Sequence, residues 1–137
     1  MSKLAIIFRG LKLKIKSPLL FVYGTLKRGY CRDHYLQNAK FLGEAKTEAS
    51  YRLYDCGEYP GLVHDPNGQS IEGELYEISE ATWPILDEVE GVSINLYRRT
   101  SIQLLTPYHD MKVQTYLYVP STDGLKKCGQ RWECKIS

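Results

Sequence analysis

The sequence lacks the features that point to a metal, a nucleic acid or a membrane. Its four cysteines form no CxxC pair and no cluster with histidine, so we expect no metal site and free thiols, which suit a cytoplasmic protein. A formal net charge of +2 is too small to indicate a nucleic-acid partner. No apolar run is as long as a transmembrane helix, and neither a Walker motif nor GxGxxG is present. A small molecule is therefore the expected partner.

Acidic residues are also absent from the first seventeen positions, MSKLAIIFRGLKLKIKS, whose charged side chains are all basic. Such a segment invites comparison with a transit peptide or a membrane-surface helix, which would make the protein imported or membrane-associated. However, the apolar run from Leu4 to Phe8 is too short for a signal-peptide core, and Leu11, Leu13 and Ile15 alternate with lysines as in a strand. We therefore predict that residues 1–17 form a basic extension or an added edge strand.

The remaining residues, 18–137, have the composition of one folded domain. Across the 137-residue chain, apolar residues make up 43% and charged residues 25%, which is ordinary for globular proteins. Short β-like runs are separated by glycine, proline and asparagine, and only two stretches resemble helices. The predicted strands include residues 19–23, 71–78, 96–105 and 111–119, and the first predicted helix covers residues 31–38. This pattern predicts an α+β fold, a small mixed β-barrel flanked by a few short helices.

The second predicted helix runs from Ser79 to Glu90, with Gly91 where a C-terminal cap is expected. Because Pro84 would lie just beyond the first-turn amides, a shorter helix starting at Thr82 is equally consistent with the sequence. Apolar or small side chains at helical spacing predict one buried face, formed by Thr82, Ile85, Leu86 and Val89. Gly73, inside the strand 71–78, predicts a bulge or a close approach of another backbone.

The first candidate binding feature is the loop that follows the apolar run 19–23. Gly24 and Gly29 bracket Thr25, Leu26, Lys27 and Arg28, and a glycine directly after a buried strand allows a sharp turn that exposes backbone N–H groups. Such groups can bind a carboxylate or another anion, and the two cations add positive charge nearby. The alternative is an ordinary β-turn with two solvated cations.

The second candidate feature is a group of three acids, Asp87, Glu88 and Glu90, at the end of the predicted helix. Clustered acids usually form a solvated face. At the negative end of a helix dipole, however, a carboxylate is destabilised, and neighbouring like charges raise its pKa further. A partly buried acid here would suit general acid/base chemistry near neutral pH. Spacing does not choose among the three.

The ordered motifs of residues 19–119 resemble the γ-glutamylcyclotransferase-like family, most closely its γ-glutamylamine cyclotransferase and AIG2-like branch. The resemblance begins with YGTLxxG at residues 23–29 and includes LDxxEG at residues 86–91. The other matching pieces are YPGL at 59–62, GELYEI at 73–78, LYRR at 96–99 and TYLY at 115–118. Five or more ordered pieces make coincidence improbable, although YGTL alone is short. The family's fold, a small β-barrel flanked by helices, agrees with the strand pattern.

The resemblance implies a reaction and assigns roles to residues. The α-amino group of a γ-glutamyl compound attacks its own γ-carbonyl, which releases an amine and 5-oxoproline without a cofactor. The backbone of Tyr23, Gly24, Thr25 and Leu26 would hold the α-carboxylate end of the glutamyl group. Glu90, directly before Gly91, matches the family's catalytic acid/base.

Further expectations concern the pocket wall and the substrate. Tyr97 and Tyr118 are candidates for the pocket wall or for hydroxyl contacts with the substrate. The expected substrate is a γ-glutamyl amine, for example the isopeptide-like γ-glutamyl-lysine derivative. The leaving amine does not follow from the motifs, so glutathione and γ-glutamyl amino acids are alternatives within the class. A non-catalytic small-molecule-binding or interaction domain on the same fold is the alternative from another class. The motifs do not indicate an oligomeric state.

Overall fold

The computed structural model describes residues 17–133 and contains eight strands and one α-helix in that range. The predicted extension at residues 1–17 therefore lies outside the described residues, apart from Ser17. The strands are β1 (Leu19–Val22), β2 (Lys40–Lys46), β3 (Tyr51–Asp55), β4 (Pro60–His64), β5 (Glu72–Glu77), β6 (Tyr97–Ile102), β7 (Val113–Tyr118) and β8 (Lys126–Lys127). The α-helix is α1 (Thr82–Val89), and two short 3₁₀ helices cover Asp33–Leu36 and Val92–Ile94.

The strands form two sheets. The larger sheet has the order β2-β5-β1-β7-β6, in which β1 and β7 are parallel and the other neighbours are antiparallel. The smaller sheet has the order β4-β3-β8. Because β1 occupies the centre of the larger sheet, the loop that follows it emerges between β5 and β7. This position brings the loop close to segments that are distant in the sequence.

The α+β class is confirmed, but among residues 17–133 the sheets do not close into a true barrel. An isolated bridge between Thr47 and Leu104 joins the chain just beyond β2 to the chain just beyond β6. The Glu48 N–H donates to the Gln103 carbonyl at 3.0 Å, and the Leu105 N–H donates to the Lys46 carbonyl at 2.9 Å. No continuous ladder joins the two edge strands, because the bridge begins only where both have ended. The larger sheet is therefore strongly curved but open.

β1 is buried on both faces, as its continuous apolar run predicts. All four of its residues are buried, and its side chains alternate between two apolar clusters. Leu19 and Phe21 belong to a cluster with Leu53, Leu62 and Leu75. Leu20 and Val22 belong to the other cluster, which includes Leu86 of α1. The strand is thus fixed on both sides up to the point where the loop begins.

Gly73 of β5 allows the close backbone approach that the sequence predicts. A Cβ atom at this position would lie 2.3 Å from the Val22 carbonyl oxygen and 2.6 Å from the Phe21 ring. Such distances are far below a normal van der Waals contact. A glycine here therefore lets β5 lie directly against the end of β1.

The helix near residue 80 is the shorter of the two predicted alternatives. α1 begins at Thr82, so Pro84 lies in the first turn, where the missing N–H has no helical acceptor. Gly91 follows with φ +68°, the left-handed conformation of a C-terminal cap. The predicted buried face is only partly correct: Trp83 and Leu86 are buried, whereas Ile85 is 53% exposed.

The first predicted helix, residues 31–38, is reduced to the 3₁₀ helix Asp33–Leu36. Within this turn only Leu36 is buried. One anchoring side chain provides little burial to extend a helix, and the short element leaves the preceding residues in an irregular connection. Arg32 is the last residue of that connection, directly before the turn.

Candidate functional site

A cavity of about 520 Å³, including its open mouth, lies where the loop after β1 meets the end of α1. Strands β6 and β7 and the chain at residues 59–60 complete its walls. Of the predicted site residues, Tyr23, Gly24, Thr25, Leu26, Glu90 and Tyr97 line it. Tyr118 is not among the lining residues. The cavity therefore brings together segments that are more than sixty positions apart in the sequence.

The loop at Gly24 is held against the residue that starts β4. A Cβ atom on Gly24 would lie 2.6 Å from Cγ of Pro60 and 2.8 Å from its Cδ, so only glycine fits without a shift. The Lys27 N–H donates to the Gly24 carbonyl at 3.1 Å, and the Arg32 N–H donates to the Thr25 carbonyl at 2.8 Å. These contacts fix the loop as a compact turn.

The loop keeps backbone donors available for a ligand. In the described part of the chain, the N–H groups of Gly24, Thr25 and Leu26 donate to no carbonyl or side-chain oxygen. Buried N–H groups are normally paired, and consecutive unpaired ones form a site for an anion. The side chains of Tyr23, Thr25 and Leu26 are all buried. This end of the cavity is therefore shielded from water.

The two cations next to the loop point away from the cavity. Lys27 is only 2% exposed and its Nζ donates to the Trp132 carbonyl at 2.8 Å; burial lowers the pKa of this amine. The Arg28 guanidinium lies over the Phe41 ring at 3.8 Å, and its Nε is 3.6 Å from Glu74 Oε2. Lys27 is therefore not a solvated cation, whereas the Arg28 side chain is 58% exposed, and neither residue lines the cavity.

The three acids near the end of α1 have different environments. Both carboxylate oxygens of Asp87 accept hydrogen bonds from Arg99, at 3.0 and 3.2 Å, and Oδ1 also accepts one from the Tyr116 hydroxyl at 2.7 Å. Glu88 is exposed to solvent. Only Glu90 lines the cavity. The structure thus separates three carboxylates that spacing alone does not distinguish.

Glu90 is the C-terminal cap residue of α1, and its side chain is 13% exposed. Burial raises the pKa of its carboxyl group to about 7, and the Arg32 guanidinium, with Nη1 4.0 Å from Oε2, partly opposes this effect. The main cause is therefore desolvation rather than the neighbouring acids that the sequence suggests. A carboxyl group with this pKa exchanges a proton readily near neutral pH.

Comparison with known proteins places the chain in a family. A family model described as "Gamma-glutamyl cyclotransferase, AIG2-like" matches residues 20–134. The chain belongs to this AIG2-like family. A protein named putative gamma-glutamylcyclotransferase from Vibrio cholerae is 43% identical over 98 residues, which cover 72% of this chain and 81% of the relative.

Two solved structures of similar proteins have the same fold. An AIG2-like protein from Mus musculus matches with a TM-score of 0.69 and 30% identity, over 85% of this chain and 88% of the mouse protein. The solution structure of ytfP from Escherichia coli matches with a TM-score of 0.64 and 36% identity, over 83% and 95% of the two chains. The family and the α+β class predicted from the sequence are thus confirmed.

The tyrosines of this AIG2-like site use their hydroxyl hydrogens within the protein. Tyr23 donates to the Tyr116 carbonyl at 2.6 Å, and Tyr97 donates to the Pro60 carbonyl. Burial raises the pKa of both phenols above the usual value of 10, so both remain neutral. Both residues form part of the cavity wall. Tyr118 packs edge-on against Tyr97, with ring centroids 5.6 Å apart, outside the lining.

Arg32 is the cavity residue that the motifs do not indicate. It lines the cavity beside Glu90, and its side chain is 41% exposed. The sequence indicates a turn before Arg32 only through Gly29. This glycine has φ +83°, and the chain after it turns back so that the Arg32 N–H reaches the Thr25 carbonyl. A loop of this kind has no periodicity from which the direction of a side chain could be predicted.

The described residues 17–133 contain no group of three or more His, Cys, Asp or Glu side chains arranged to hold a metal. The thiols of Cys31 and Cys56 are free, and Cys134 lies outside the described range. No helix within that range is long and apolar enough to cross a membrane. Glu90, Arg32 and the loop at Gly24, Thr25 and Leu26 lie among the residues that line the cavity.

Proposed function

We propose that this chain is a γ-glutamylamine cyclotransferase-like enzyme that releases an amine and 5-oxoproline from a γ-glutamyl compound in the cytoplasm. The observation that supports the proposal most strongly is the pairing of Glu90 with the loop in one cavity. A carboxyl group with a pKa of about 7 stands beside a buried turn with unpaired N–H groups. The carboxyl group is suited to proton transfer, and the unpaired N–H groups are suited to binding an anion.

Substrate binding begins with the α-carboxylate of the glutamyl group on the backbone N–H groups at positions 23–26. The aromatic walls at Tyr23 and Tyr97 confine the rest of the chain so that the α-amino nitrogen approaches the γ-carbonyl carbon. Because nucleophile and electrophile belong to one molecule, holding it folded supplies much of the acceleration. A loop N–H also stabilises the oxyanion that develops on the carbonyl oxygen.

Glu90 acts as acid and base in the two chemical steps. The α-amino group reacts as the neutral amine, and the ionised carboxylate accepts one of its protons as the nitrogen bonds to the γ-carbon and forms a tetrahedral intermediate. The carboxyl group then gives this proton to the leaving nitrogen, whose bond to the γ-carbon breaks. The products are 5-oxoproline and a free amine, and Glu90 returns to its ionised form. The reaction needs no cofactor.

The test measures 5-oxoproline released from a panel of γ-glutamyl compounds by the wild type, Glu90→Gln and Glu88→Gln. Glu90→Gln keeps the size and polarity of the side chain but cannot accept the proton. We expect it to lower kcat/KM about 10²- to 10⁴-fold, the usual contribution of a general acid/base. Glu88→Gln removes one exposed carboxylate two positions away and should keep nearly full activity.

Two results would contradict parts of the proposal. If the wild type and Glu90→Gln give the same background, the protein is not this enzyme, and the non-catalytic binding domain becomes the better account. If Glu90→Ala remains fully active while Glu88→Ala does not, the reaction class survives but the assignment of the base is wrong.

A further inference from the structure

Lys27 directly follows the YGTL tetrapeptide at residues 23–26, yet its side chain is buried outside the cavity lining. It is only 2% exposed. The other lysines of residues 17–133 are all exposed, namely Lys40, Lys46, Lys112, Lys126 and Lys127. A lysine is rarely buried unless its ammonium group has partners, because removing a charge from water is costly. The proposed catalytic steps do not use this buried cation.

The C-terminal tail holds the Lys27 ammonium group. Its Nζ donates to the Trp132 carbonyl at 2.8 Å and lies 4.5 Å from the centroid of the Tyr30 ring. The Tyr30 hydroxyl donates to the same carbonyl at 3.1 Å. Two side chains of the loop after β1 thus bond to one acceptor, in a segment more than one hundred positions away in the sequence.

The tail offers this acceptor in a fixed place. The Cys128 N–H donates to the Leu53 carbonyl at 2.8 Å, and the Glu72 N–H donates to the Gln130 carbonyl at 2.7 Å. The Trp132 side chain is 3% exposed and belongs to the apolar cluster that contains Leu53. Because backbone hydrogen bonds and a buried indole both hold this segment, the Trp132 carbonyl is a firm attachment point for the loop.

The backbone of Lys27 closes the turn whose N–H groups are available for a ligand. The Lys27 N–H donates to the Gly24 carbonyl at 3.1 Å, and the Lys27 carbonyl accepts from the Tyr30 N–H at 3.0 Å. Between these bonds lie Thr25 and Leu26, whose N–H groups, like that of Gly24, are unpaired in the described part of the chain. A displacement of Lys27 would therefore displace these N–H groups.

We propose that Lys27 is a positioning residue whose ammonium group, bonded to the Trp132 carbonyl, holds the turn at residues 24–27 in the arrangement that binds the α-carboxylate of the γ-glutamyl substrate. The inference rests on the proposed function and deepens it, because it gives the C-terminal tail a part in substrate binding. Lys27 touches neither the substrate nor Glu90. It acts through the backbone of the turn.

A hydrogen bond from an ammonium group suits this role better than apolar packing. Such a bond is directional and roughly twice as strong as one between neutral groups, whereas a methionine would fill a similar space without fixing the chain in one orientation. An apolar side chain at position 27 should nevertheless preserve the fold, because it removes the desolvation cost of a buried charge. The Tyr30 hydroxyl would still donate to the Trp132 carbonyl.

The test compares two substrates that differ only in the α-carboxylate, γ-glutamyl-ethylamide and 4-amino-N-ethylbutanamide. The first cyclises to 5-oxoproline and the second to 2-pyrrolidinone, and both release ethylamine. The quantity measured is the ratio of their kcat/KM values at pH 8.5, compared between variants so that the intrinsic reactivities of the two substrates cancel. We expect the wild type to favour γ-glutamyl-ethylamide about 100-fold or more, as two charge-assisted hydrogen bonds would produce.

The variants separate positioning of the turn from a general effect on the fold. In Lys27→Met the ratio should fall about tenfold or more, mainly through a higher KM for γ-glutamyl-ethylamide, while Tm stays close to the wild-type value. Lys27→Gln, which is shorter and uncharged, should show the same fall. Lys27→Arg keeps a charged donor and should retain more of the preference than either. Lys112→Met removes an exposed lysine outside the cavity lining and should leave the ratio unchanged.

Amide hydrogen exchange, followed by NMR, measures the hold on the loop without any substrate. The N–H groups of Lys27, Tyr30 and Arg32 donate to carbonyls within the loop, so their exchange rates report how firmly it is held. We expect these rates to rise about tenfold or more in Lys27→Met for the groups at positions 30 and 32, and to stay at the wild-type values in Lys112→Met.

The inference fails alone if the ratio stays at the wild-type value in both Lys27→Met and Lys27→Gln, since Lys27 would then serve only the fold. It also fails alone if exchange in the loop is the same in Lys27→Met and the wild type. Equal wild-type rates for the two substrates would overturn it as well, while release of 5-oxoproline would keep the reaction class. If the wild type releases 5-oxoproline from no compound of the panel, the proposed function fails and the inference fails with it.

Discussion

Burial of Glu90 costs the folded protein stability whenever the carboxyl group is ionised. In the unfolded chain this group titrates near its usual pKa of 4.5, and in the folded chain near 7. The folded state therefore binds the extra proton between these pH values. The stabilisation of the folded state by this proton is complete below pH 4.5 and is lost as the pH rises through 7.

Glu90→Gln should consequently stabilise the protein in alkaline solution. Removing a buried charge should raise the free energy of unfolding at pH 8.5 by roughly 2–3 kcal/mol, and the gain should shrink towards zero near pH 4.5. Urea unfolding at both pH values measures this difference, with Glu88→Gln as the exposed control. Equal stabilisation at the two pH values would show that the raised pKa of Glu90 is not its cause.

At the residue scale, the sequence predicts the kind of residue but not its surroundings. The acids at the end of α1 and the glycine that follows them are visible as a pattern. Only the family resemblance distinguishes Glu90 from Asp87 in the sequence. The Arg99 and Tyr116 side chains that donate hydrogen bonds to Asp87 come from strands distant in the sequence. Arg32 was missed for a related reason. The direction of its side chain depends on the hydrogen bond from the Arg32 N–H to the Thr25 carbonyl, and no periodic pattern in the sequence predicts that bond.

At the element scale, the loop after β1 is positioned by close contacts with its neighbours. Pro60 leaves no room for a side chain on Gly24, and Glu74 of β5 accepts the Arg28 N–H at 2.9 Å. Glu74 also accepts the Tyr76 hydroxyl at 3.1 Å. The loop is thus held from two sides, which keeps its free N–H groups in a fixed arrangement.

Gly24→Ala should therefore reduce activity more than its small volume suggests. The added methyl group would lie 2.6 Å from the Pro60 ring, so the loop or the start of β4 must move. Because a displacement of about 1 Å can cost 10²-fold in rate, we expect at least a tenfold fall in kcat/KM together with a lower Tm. Gly129→Ala is the matched control, since its Cβ would meet no atom within 4 Å. Full activity in Gly24→Ala would show that the loop geometry is not essential.

The elements themselves were predictable where burial or backbone geometry dominates. β1 follows from an unbroken apolar run, and the end of α1 follows from Gly91. The buried face of α1 was not predictable, because the elements that pack against an eight-residue helix determine which of its sides is buried. Here the Arg99 guanidinium covers the Trp83 ring at 4.3 Å, and Ile85 is left in solvent.

At the scale of the whole molecule, the α+β class was predictable, but the closure of the sheets was not. Whether edge strands join depends on the lengths of their ladders, and β2 ends at Lys46 before the bridge to Leu104 forms. β8 pairs with β3 through Tyr54 and Lys127, although the tail has no strand-like alternation. The cavity results from this packing, because the central position of β1 brings its loop to the end of α1.

The assembled cavity also defines which groups govern its response to pH. Charged and titratable side chains that line the cavity with Glu90 include Arg32, Tyr23, Tyr97 and Tyr116. Burial raises the pKa of each tyrosine above 10, so these phenols stay neutral through the neutral range. Among Glu90 and these three tyrosines, only Glu90 changes its protonation near pH 7.

The most direct test of the account is the pH dependence of kcat/KM for 5-oxoproline release by the intact protein. If Glu90 is the base, the ratio of the wild-type kcat/KM to that of Glu90→Gln should fall about tenfold per pH unit below an apparent pKa near 7 and level off above it, because ionisation of the substrate's amine affects both proteins equally. Glu90→Gln should give a much lower rate without this inflection. A ratio that is flat from pH 5.5 to 8.5, or an inflection that persists in Glu90→Gln, would contradict the central claim.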